Sequence, residues 1–379
     1  MSKWGKDVSF VLPALHGGGV ERVFLELSRG MAQRGLSVEL VVAGGDGVLT
    51  SQVDGRVTLI DLGVPPRLRL LRAYVPLSAH FARTRPRWVI PVWGYFDFVP
   101  LRAAWSAGAS VLFVLHSTTD YFEDLPPLKR RFALWSAKRS LQALLKREGE
   151  GKGLVGGVSR GVLQDFAVRF GLPLQSKEVF PNPLDAERVL SLAQAPCPHP
   201  WAQKGRPFFA AVGRLHPHKG FDLLLQAFAC FKAGDREGHG LLLLGEGPER
   251  GRLEGLAASL GLGEEVSLPG FFPNPYPCLR QAKALVMTSV YEGFAMVLLE
   301  ALALGIPIIA AQAKGGVAEA LGNGRFGLLV SRSPEAVADA MGRVASGQYP
   351  APSREDVDRH LDWHRLERVV EFYLSRMGF

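Results

Sequence analysis

Residues 284–310 read ALVMTSVYEGFAMVLLEALALGIPIIA. An apolar run of strand length, Ala284–Ser289, passes through the turn Tyr291-Glu292-Gly293-Phe294 into an apolar helix from about Met296 to Leu304. A second apolar run, Ile306–Ala310, follows Gly305. Strand, turn, helix and strand in close succession are the repeating unit of a parallel α/β sheet. Glu292 stands in the strand-to-helix turn, and Glu300 stands inside the otherwise apolar helix. A carboxylate there is costly to bury unless it is paired. The pattern predicts that Glu300 points out of the core, toward the carboxyl ends of the strands, where open α/β sheets take their ligands.

Upstream, Phe208–Val212 reads as a strand and Phe221–Phe231 as a helix. The loop between them is Gly213-Arg214-Leu215-His216-Pro217-His218-Lys219-Gly220. Arg214 and Lys219 are close enough to reach one diphosphate, Arg by paired oxygen contacts and Lys as a point charge. His216 and His218 have metal-binding chemistry, but no carboxylate or third ligand stands near them in the sequence, and no metal is expected. Strand Leu241–Leu244 precedes Gly245-Glu246-Gly247-Pro248-Glu249, half of a dinucleotide fingerprint. Gly251 comes one residue late and Pro248 sits in the turn, so the cofactor motif is weak. Strand Val266–Leu268 ends in Pro269-Gly270-Phe271-Phe272-Pro273, whose aromatic and backbone groups suit a nucleotide base. A second glycine turn into a helix, Lys314-Gly315-Gly316-Val317-Ala318-Glu319, follows the quoted stretch.

The N-terminal half opens with the apolar run Asp7–Leu15, then His16-Gly17-Gly18-Gly19-Val20-Glu21-Arg22 and a helix spaced by Val23, Leu27 and Met31. Strand Val38–Ala43 completes a βαβ opening. Gly17, Gly18 and Gly19 let backbone approach a ligand, and the helix start favours an anion. A phosphate- or sugar-contacting loop and a plain tight turn both fit. Strand Ser110–Leu115 ends at His116, which places that histidine at the carboxyl end of the sheet. Strand Leu154–Val158 leads to Ser159, a helix N-cap. The prolines of Pro181-Asn182-Pro183 mark a hinge at 181–186. The expected domains are residues 1–180, residues 181–355 and a C-terminal helix, 356–379, crossing back to the first domain. In that tail, Asp356-Val357-Asp358 follows no strand and reads as solvent-facing carboxylates rather than a metal site.

At 379 residues with 47% apolar and 21% charged residues, the chain suits two globular domains. Its three cysteines, Cys197, Cys230 and Cys278, form no CxxC pair. This predicts a reducing compartment without disulfides or a zinc site. The N-terminus reads as a first strand rather than a secretory signal. No run approaches the ~20 apolar residues of a membrane span. A cytoplasmic protein is expected, peripheral on the cytoplasmic face of the inner membrane.

The net charge of +8 is one-sided: residues 1–180 carry 24 Lys and Arg against 15 Asp and Glu, the remainder 20 against 21. Two stretches concentrate it, 65–90 (Arg67, Arg69, Arg72, Arg83, Arg85, Arg87-Trp88) and 126–147 (Lys129-Arg130-Arg131, Trp135, Lys138-Arg139, Lys146-Arg147). Both read as helices with cations on one side and Leu, Phe, Trp or Tyr on the other, a pattern suited to anionic lipid. No recognition helix or stacking-aromatic pattern accompanies the charge, so no nucleic acid is expected.

Taken together, Gly17–Arg22, His116, Val158-Ser159, Pro181–Pro183, Val212–Leu215 with Lys219-Gly220, Gly245–Pro248, Leu268–Gly270, Glu292–Phe294 and Glu300-Ala301 resemble the retaining glycosyltransferases of family 4. The resemblance spans residues 16 to about 320, and its Glu-x7-Glu pair joined to the Arg…Lys pair is its most specific part. It implies a GT-B fold, two Rossmann-like parallel-sheet domains facing each other across a cleft. It also implies a nucleotide-sugar donor and no metal or other cofactor, and a UDP-sugar is the donor expected here.

By that resemblance, Arg214 and Lys219 grip the donor diphosphate, Glu300 holds the ribose hydroxyls, and Glu292 sits against the transferred sugar. Backbone amides after Gly293, at Phe294 and beyond, cradle sugar and phosphate. Gly17–Gly19 cap the diphosphate and His116 contacts the sugar. The base lies near Gly245 and Phe272. Glu292, His116, Arg214 and Lys219 are the implied catalytic set. The acceptor is expected to be a saccharide, lipid-linked or part of lipopolysaccharide, at an anionic membrane surface. A nucleotide-sugar epimerase of the same fold and a non-catalytic sugar-binding homologue are the alternatives.

Overall fold

The computed structural model describes residues 4–45, 47–66, 69–92, 94 and 97–379. Arg67 and Leu68, in the first basic stretch, lie outside the described residues. The chain divides into two units, Met1–Pro183 with His364–Phe379, and Leu184–Trp363.

The first unit is built on seven strands: β1 (Lys6–Leu12), β2 (Val38–Val42), β3 (Thr58–Asp61), β4 (Pro86–Pro91), β5 (Ser110–Leu115), β6 (Gly153–Gly157) and β7 (Glu178–Val179). They pair in the order β3-β2-β1-β4-β5-β6-β7, all parallel. Strands covered on both faces are near-continuous apolar runs; Val8–Leu12 and all of β2 are buried. The polar exception is Glu39 in β2, which accepts a hydrogen bond from the Ser9 hydroxyl and lies 3.1 Å from His80 Nε2. All three side chains are sealed in the core.

The 65–90 stretch is not one helix. Two helices, Arg69–Arg72 and Tyr74–Thr84, are followed by β4, which pairs with both β1 and β5. Arg85 takes a left-handed φ of 47° and ends the second helix. Pro86 then opens the strand, a position where its missing N–H is tolerated. Trp88 therefore faces the core, its indole N–H donating to the Met377 carbonyl at 2.9 Å. The 126–147 stretch is one helix, Pro127–Gly149, but its cations share the outward side with Leu128, Phe132 and Trp135, while Leu141 and Leu144 are buried.

The second unit carries β8 (Phe208–Val212), β9 (Gly240–Leu244), β10 (Val266–Gly270), β11 (Leu285–Met287), β12 (Tyr291–Glu292), β13 (Ile308–Ala311), β14 (Lys314–Gly315) and β15 (Leu328–Val330). Six form a parallel sheet in the order β10-β9-β8-β11-β13-β15, while β12 pairs with β14 alone. In each unit the chain steps outward from a central strand, then returns to that strand's other side. The resulting switch points lie between β1 and β4 and between β8 and β11, and loops at the carboxyl ends there are where such sheets bind ligands.

The tail is two helices rather than one. Arg354–Asp362 stays with the second unit, and Leu366–Met377 belongs to the first. There it lies against the helix Gly19–Gln33, where a Cβ added at Gly30 would meet Val370 and Leu366 at 2.6 and 3.1 Å. Asp356 pairs with Arg325 and Asp358 with Arg354. The cysteine expectation is overturned: Cys197 and Cys278 form a disulfide, S–S 2.11 Å, across 81 residues of sequence. The CxxC criterion is blind to a pair that only the fold brings together. Among the described residues no helix is long and apolar enough to cross a membrane.

Candidate active site

The site of the second unit is built by the loops after β8 and β11, neighbours at the switch point. Gly220 has φ 61°, and an added Cβ would lie 2.2 Å from the Thr288 carbonyl oxygen, so the turn after Lys219 requires glycine. The Thr288 hydroxyl donates to the Gly220 carbonyl at 2.9 Å. The Val290 amide donates to the His218 carbonyl at 2.7 Å. One Arg332 guanidinium nitrogen donates to the carbonyls of Thr288 and Ser289, at 2.5 and 2.8 Å. Six residues from three separate parts of the sequence thus fix two loops against each other.

These loops bring Lys219 and Glu292 together. Lys219 Nζ is 2.6 Å from Glu292 Oε1, and the Ser289 hydroxyl donates to the same oxygen at 2.7 Å. The stretch read as a turn at Tyr291-Glu292 is strand β12, whose pairing of Glu292 with Gly315 holds the glutamate's backbone. The pair is partly shielded, with side-chain exposures of 21% and 13%, so its charges act through less water than surface charges do. It lines a small cavity with Val212, Thr288, Ser289 and Val297. Arg214 is exposed in the same loop, without an ion pair or side-chain hydrogen bond among the described residues. With Lys219 balancing Glu292 and Arg332 offsetting Asp222 of the first helical turn, Arg214 leaves a net positive charge at the start of the helix Phe221–Lys232, an arrangement that favours an anion. His216 and His218 bond to each other through Nδ1 at 2.8 Å, and His218 stacks on Tyr291.

Glu300 is placed by the helix Met296–Leu304. Ala295 enters it in a left-handed conformation, φ 45°, and Gly305 leaves it at φ 72°. Leu298, Leu299 and Ala301–Ala303 are buried, while Met296, Val297 and Glu300 are half-buried on the remaining face. The Tyr276 hydroxyl donates to Glu300 Oε1 at 3.1 Å, which meets part of the cost of a carboxylate in this helix. Gly293 and the Phe294 side chain are buried. Gly245 is buried too: its Cβ would stand 1.9 Å from the Gly213 carbonyl oxygen, and its amide donates to Gly270. It serves as close packing between strand ends. Glu246, which follows it, is held by Arg250. Phe272 is half-buried and Phe271 exposed in the loop after β10.

In the first unit, Gly17 takes φ 108° and leads into the helix Gly19–Gln33. The amides of Gly17 and Gly18 both donate to Glu21 Oε2, the second at 2.8 Å. The loop's two anion-seeking amides thus already hold the chain's own carboxylate, which a phosphate there would displace. His116 follows β5, edge-on to Phe24 with ring centroids 5.7 Å apart. Its Nε2 is buried without a partner among the described residues, and burial pulls the imidazole down to about 4. The ring is neutral near pH 7.

Sequence reasoning missed Ser289, Tyr276, Arg332 and Glu21. Polar Thr288-Ser289 ending an apolar strand is a usable signal for the first, and Glu21 three residues past Gly18 is one for a helix-start carboxylate. Nothing local points to Arg332 or Tyr276, which act across 44 and 24 residues.

Residues 17–188 match the family model "Glycosyltransferase Family 4", and residues 200–359 match "Glycosyl transferases group 1". The chain is 34% identical over 172 residues to a Campylobacter jejuni N-acetylgalactosamine-N,N'-diacetylbacillosaminyl-diphospho-undecaprenol 4-alpha-N-acetylgalactosaminyltransferase, covering 45% of each. It is 30% identical over 264 residues to a Mycobacterium tuberculosis GDP-mannose-dependent alpha-(1-6)-phosphatidylinositol monomannoside mannosyltransferase, 63% of this chain and 66% of that protein. The matched stretches therefore span about half to two thirds of these relatives. The structure of Anabaena HepE in complex with UDP-glucose aligns at a TM-score of 0.77 and 18% identity, over 98% of this chain and 100% of that one. An identity that low speaks for the fold alone. With the two models matched over these ranges and the fold in agreement, the chain belongs to the GT-B glycosyltransferase type, a Family 4 domain followed by a group 1 domain.

Proposed function

We propose that this chain is a retaining, metal-independent glycosyltransferase that moves a hexose or N-acetylhexosamine from a nucleotide-sugar, a UDP-sugar in preference, to a lipid-linked or lipopolysaccharide saccharide. The observation that carries the reading is the Lys219–Glu292 pair, set beside Arg214 in one loop system with Glu300 on the following helix. Breaking a glycosyl–diphosphate bond puts positive charge on the sugar and negative charge on the leaving oxygen. Lys219 and Arg214 supply fixed positive charge for the diphosphate, with the helix start behind them, in the role a metal otherwise fills. Glu292 faces the developing sugar cation as an electrostatic and positioning group. Glu300, steadied by Tyr276, takes the ribose hydroxyls. Net retention follows when the acceptor attacks on the leaving group's face and the departing phosphate oxygen takes its proton. In the first unit, His116 and the Gly17–Gly19 loop are the candidates for further sugar and phosphate contacts. The acceptor class rests on the relatives' names, the undecaprenol-linked and phosphatidylinositol substrates above and a Rhizobium meliloti lipopolysaccharide core enzyme.

The test is incubation with each nucleotide-sugar, with and without a lipid-linked saccharide, in the presence of a chelator. Transfer that needs the acceptor, survives chelation and keeps the anomeric configuration by NMR supports the proposal. Turnover of donor alone to its epimer would replace it with an epimerase.

A further inference from the structure

The helix Pro127–Gly149 of the first unit is inverted relative to a helix that serves only to cover a sheet. Its buried face is Ala133, Ser136, Ala137, Ser140, Leu141 and Leu144, mostly small residues. Its outward face carries Leu128, Phe132 and Trp135, exposed by 83%, 45% and 58%. Their spacing of four and three puts them on one stripe. The rings of Phe132 and Trp135 lie side by side, centroids 5.9 Å apart. Arg131, Lys138 and Arg139 are exposed along the same side. Arg130 is held by Glu123, but no ion pair engages Arg131, Lys138 or Arg139 among the described residues.

A solvated helix face would place polar residues where this one places Leu, Phe and Trp. A core face would bury them. Clustered cations beside a large apolar stripe raise both a hydration cost and a repulsion, and water relieves only the second. A surface that is apolar beneath and anionic above relieves both at once. Aromatic rings with a polar edge settle at the headgroup level, and nearby Arg and Lys meet lipid phosphates.

We propose that the outward face of helix Pro127–Gly149 docks on anionic lipid, with Leu128, Phe132 and Trp135 entering the headgroup–acyl boundary and Arg131, Lys138 and Arg139 meeting the phosphates. This goes beyond the donor chemistry, because none of these residues belongs to the candidate site. The experiment is co-sedimentation of the full chain with vesicles of phosphatidylcholine alone, or of phosphatidylcholine mixed with phosphatidylglycerol, at low and high salt. Wild type is expected on the mixed vesicles at low salt and off both at high salt. F132S/W135S and K138E/R139E should each weaken binding by about tenfold or more. The thermal shift produced by a nucleotide-sugar should be unchanged in both variants, so a failure of the lipid reading is distinguishable from a failure of the donor reading. Absence of wild type from the phosphatidylglycerol vesicles at low salt would overturn the proposal. So would variants that bind as wild type, or wild-type self-association abolished by F132S/W135S, which would assign the face to a second copy. If F132S/W135S does not fold, K138E/R139E carries the test.

Discussion

Lys219 Nζ and Glu292 Oε1 are 2.6 Å apart across 73 residues of sequence, with Ser289 bonded to the same carboxylate oxygen. The pair has a consequence for kinetics. Removing the lysine strips charge from the expected diphosphate contact and leaves a half-buried carboxylate with its hydroxyl partner only. Lys219→Met should lower kcat/KM by about a hundredfold or more, and Glu292→Gln by a comparable factor. Because the two share one contact, the double variant should lose less than the product of the two factors. Steady-state transfer assays of the four proteins check this; full multiplicativity would mean the pair does not act as a unit.

Tyr276 is expected to act on binding rather than chemistry. It touches Glu300, and Glu300 is assigned to the ribose. Tyr276→Phe should raise KM for the nucleotide-sugar severalfold with kcat nearly unchanged, and Glu300→Ala should raise it by roughly tenfold. A kcat loss at constant KM in either variant would move Glu300 from the ribose to the reacting sugar.

The Cys197–Cys278 disulfide closes a long loop around the start of the second unit's sheet. Cross-linking such a loop typically contributes about 2–4 kcal/mol. Cys197→Ser with Cys278→Ser, or a reducing agent, should lower the urea midpoint of the second unit accordingly. Cys278 shares the helix Tyr276–Gln281 with Tyr276, so donor KM should rise along with the loss of stability.

His116 should leave a signature in acid. Burial holds its imidazole near 4, against 6.5 for the unperturbed ring. Above pH 6.5 the ring is neutral folded and unfolded, and it contributes nothing. Between about 6.5 and 4 the unfolded chain takes up a proton that the folded chain does not, so stability falls as pH drops. Below about 4 the effect levels off, at up to a few kcal/mol. His116→Gln should lack this slope. Urea midpoints of both proteins through that window read the difference; parallel curves would mean the ring is not shielded.

Most inner strands were legible in the sequence because strands covered on both faces are plain apolar runs; β5 and β8 have the bounds their residues predict, while the half-exposed edge strands β3 and β15 lack such buried runs and were not legible. Strand β4 was not, because Arg87 and two terminal prolines disguise a central strand as part of a basic helix. In the site, Arg214 with Lys219 and Glu292 with Glu300 were legible because each pair lies within one short segment. The join between those segments was not, since it depends on which strands become neighbours. Arg332, Tyr276 and the cysteine pair escaped for the same reason. Glu21 stood in plain view, but a carboxylate beside a glycine loop reads equally as a surface charge. The helix 127–149 was legible as cationic and aromatic, and only its packing told which side faces outward.

The most direct test of the central claim is a thermal-unfolding panel of wild type and Lys219→Met with UDP-, GDP- and ADP-sugars. One nucleotide-sugar, at large excess over its Kd, should stabilise wild type by a few kcal/mol and raise its Tm, with most of that shift lost in the variant. A panel that leaves wild type unmoved, or a shift of equal size in Lys219→Met, would contradict the assignment of this site to a nucleotide-sugar.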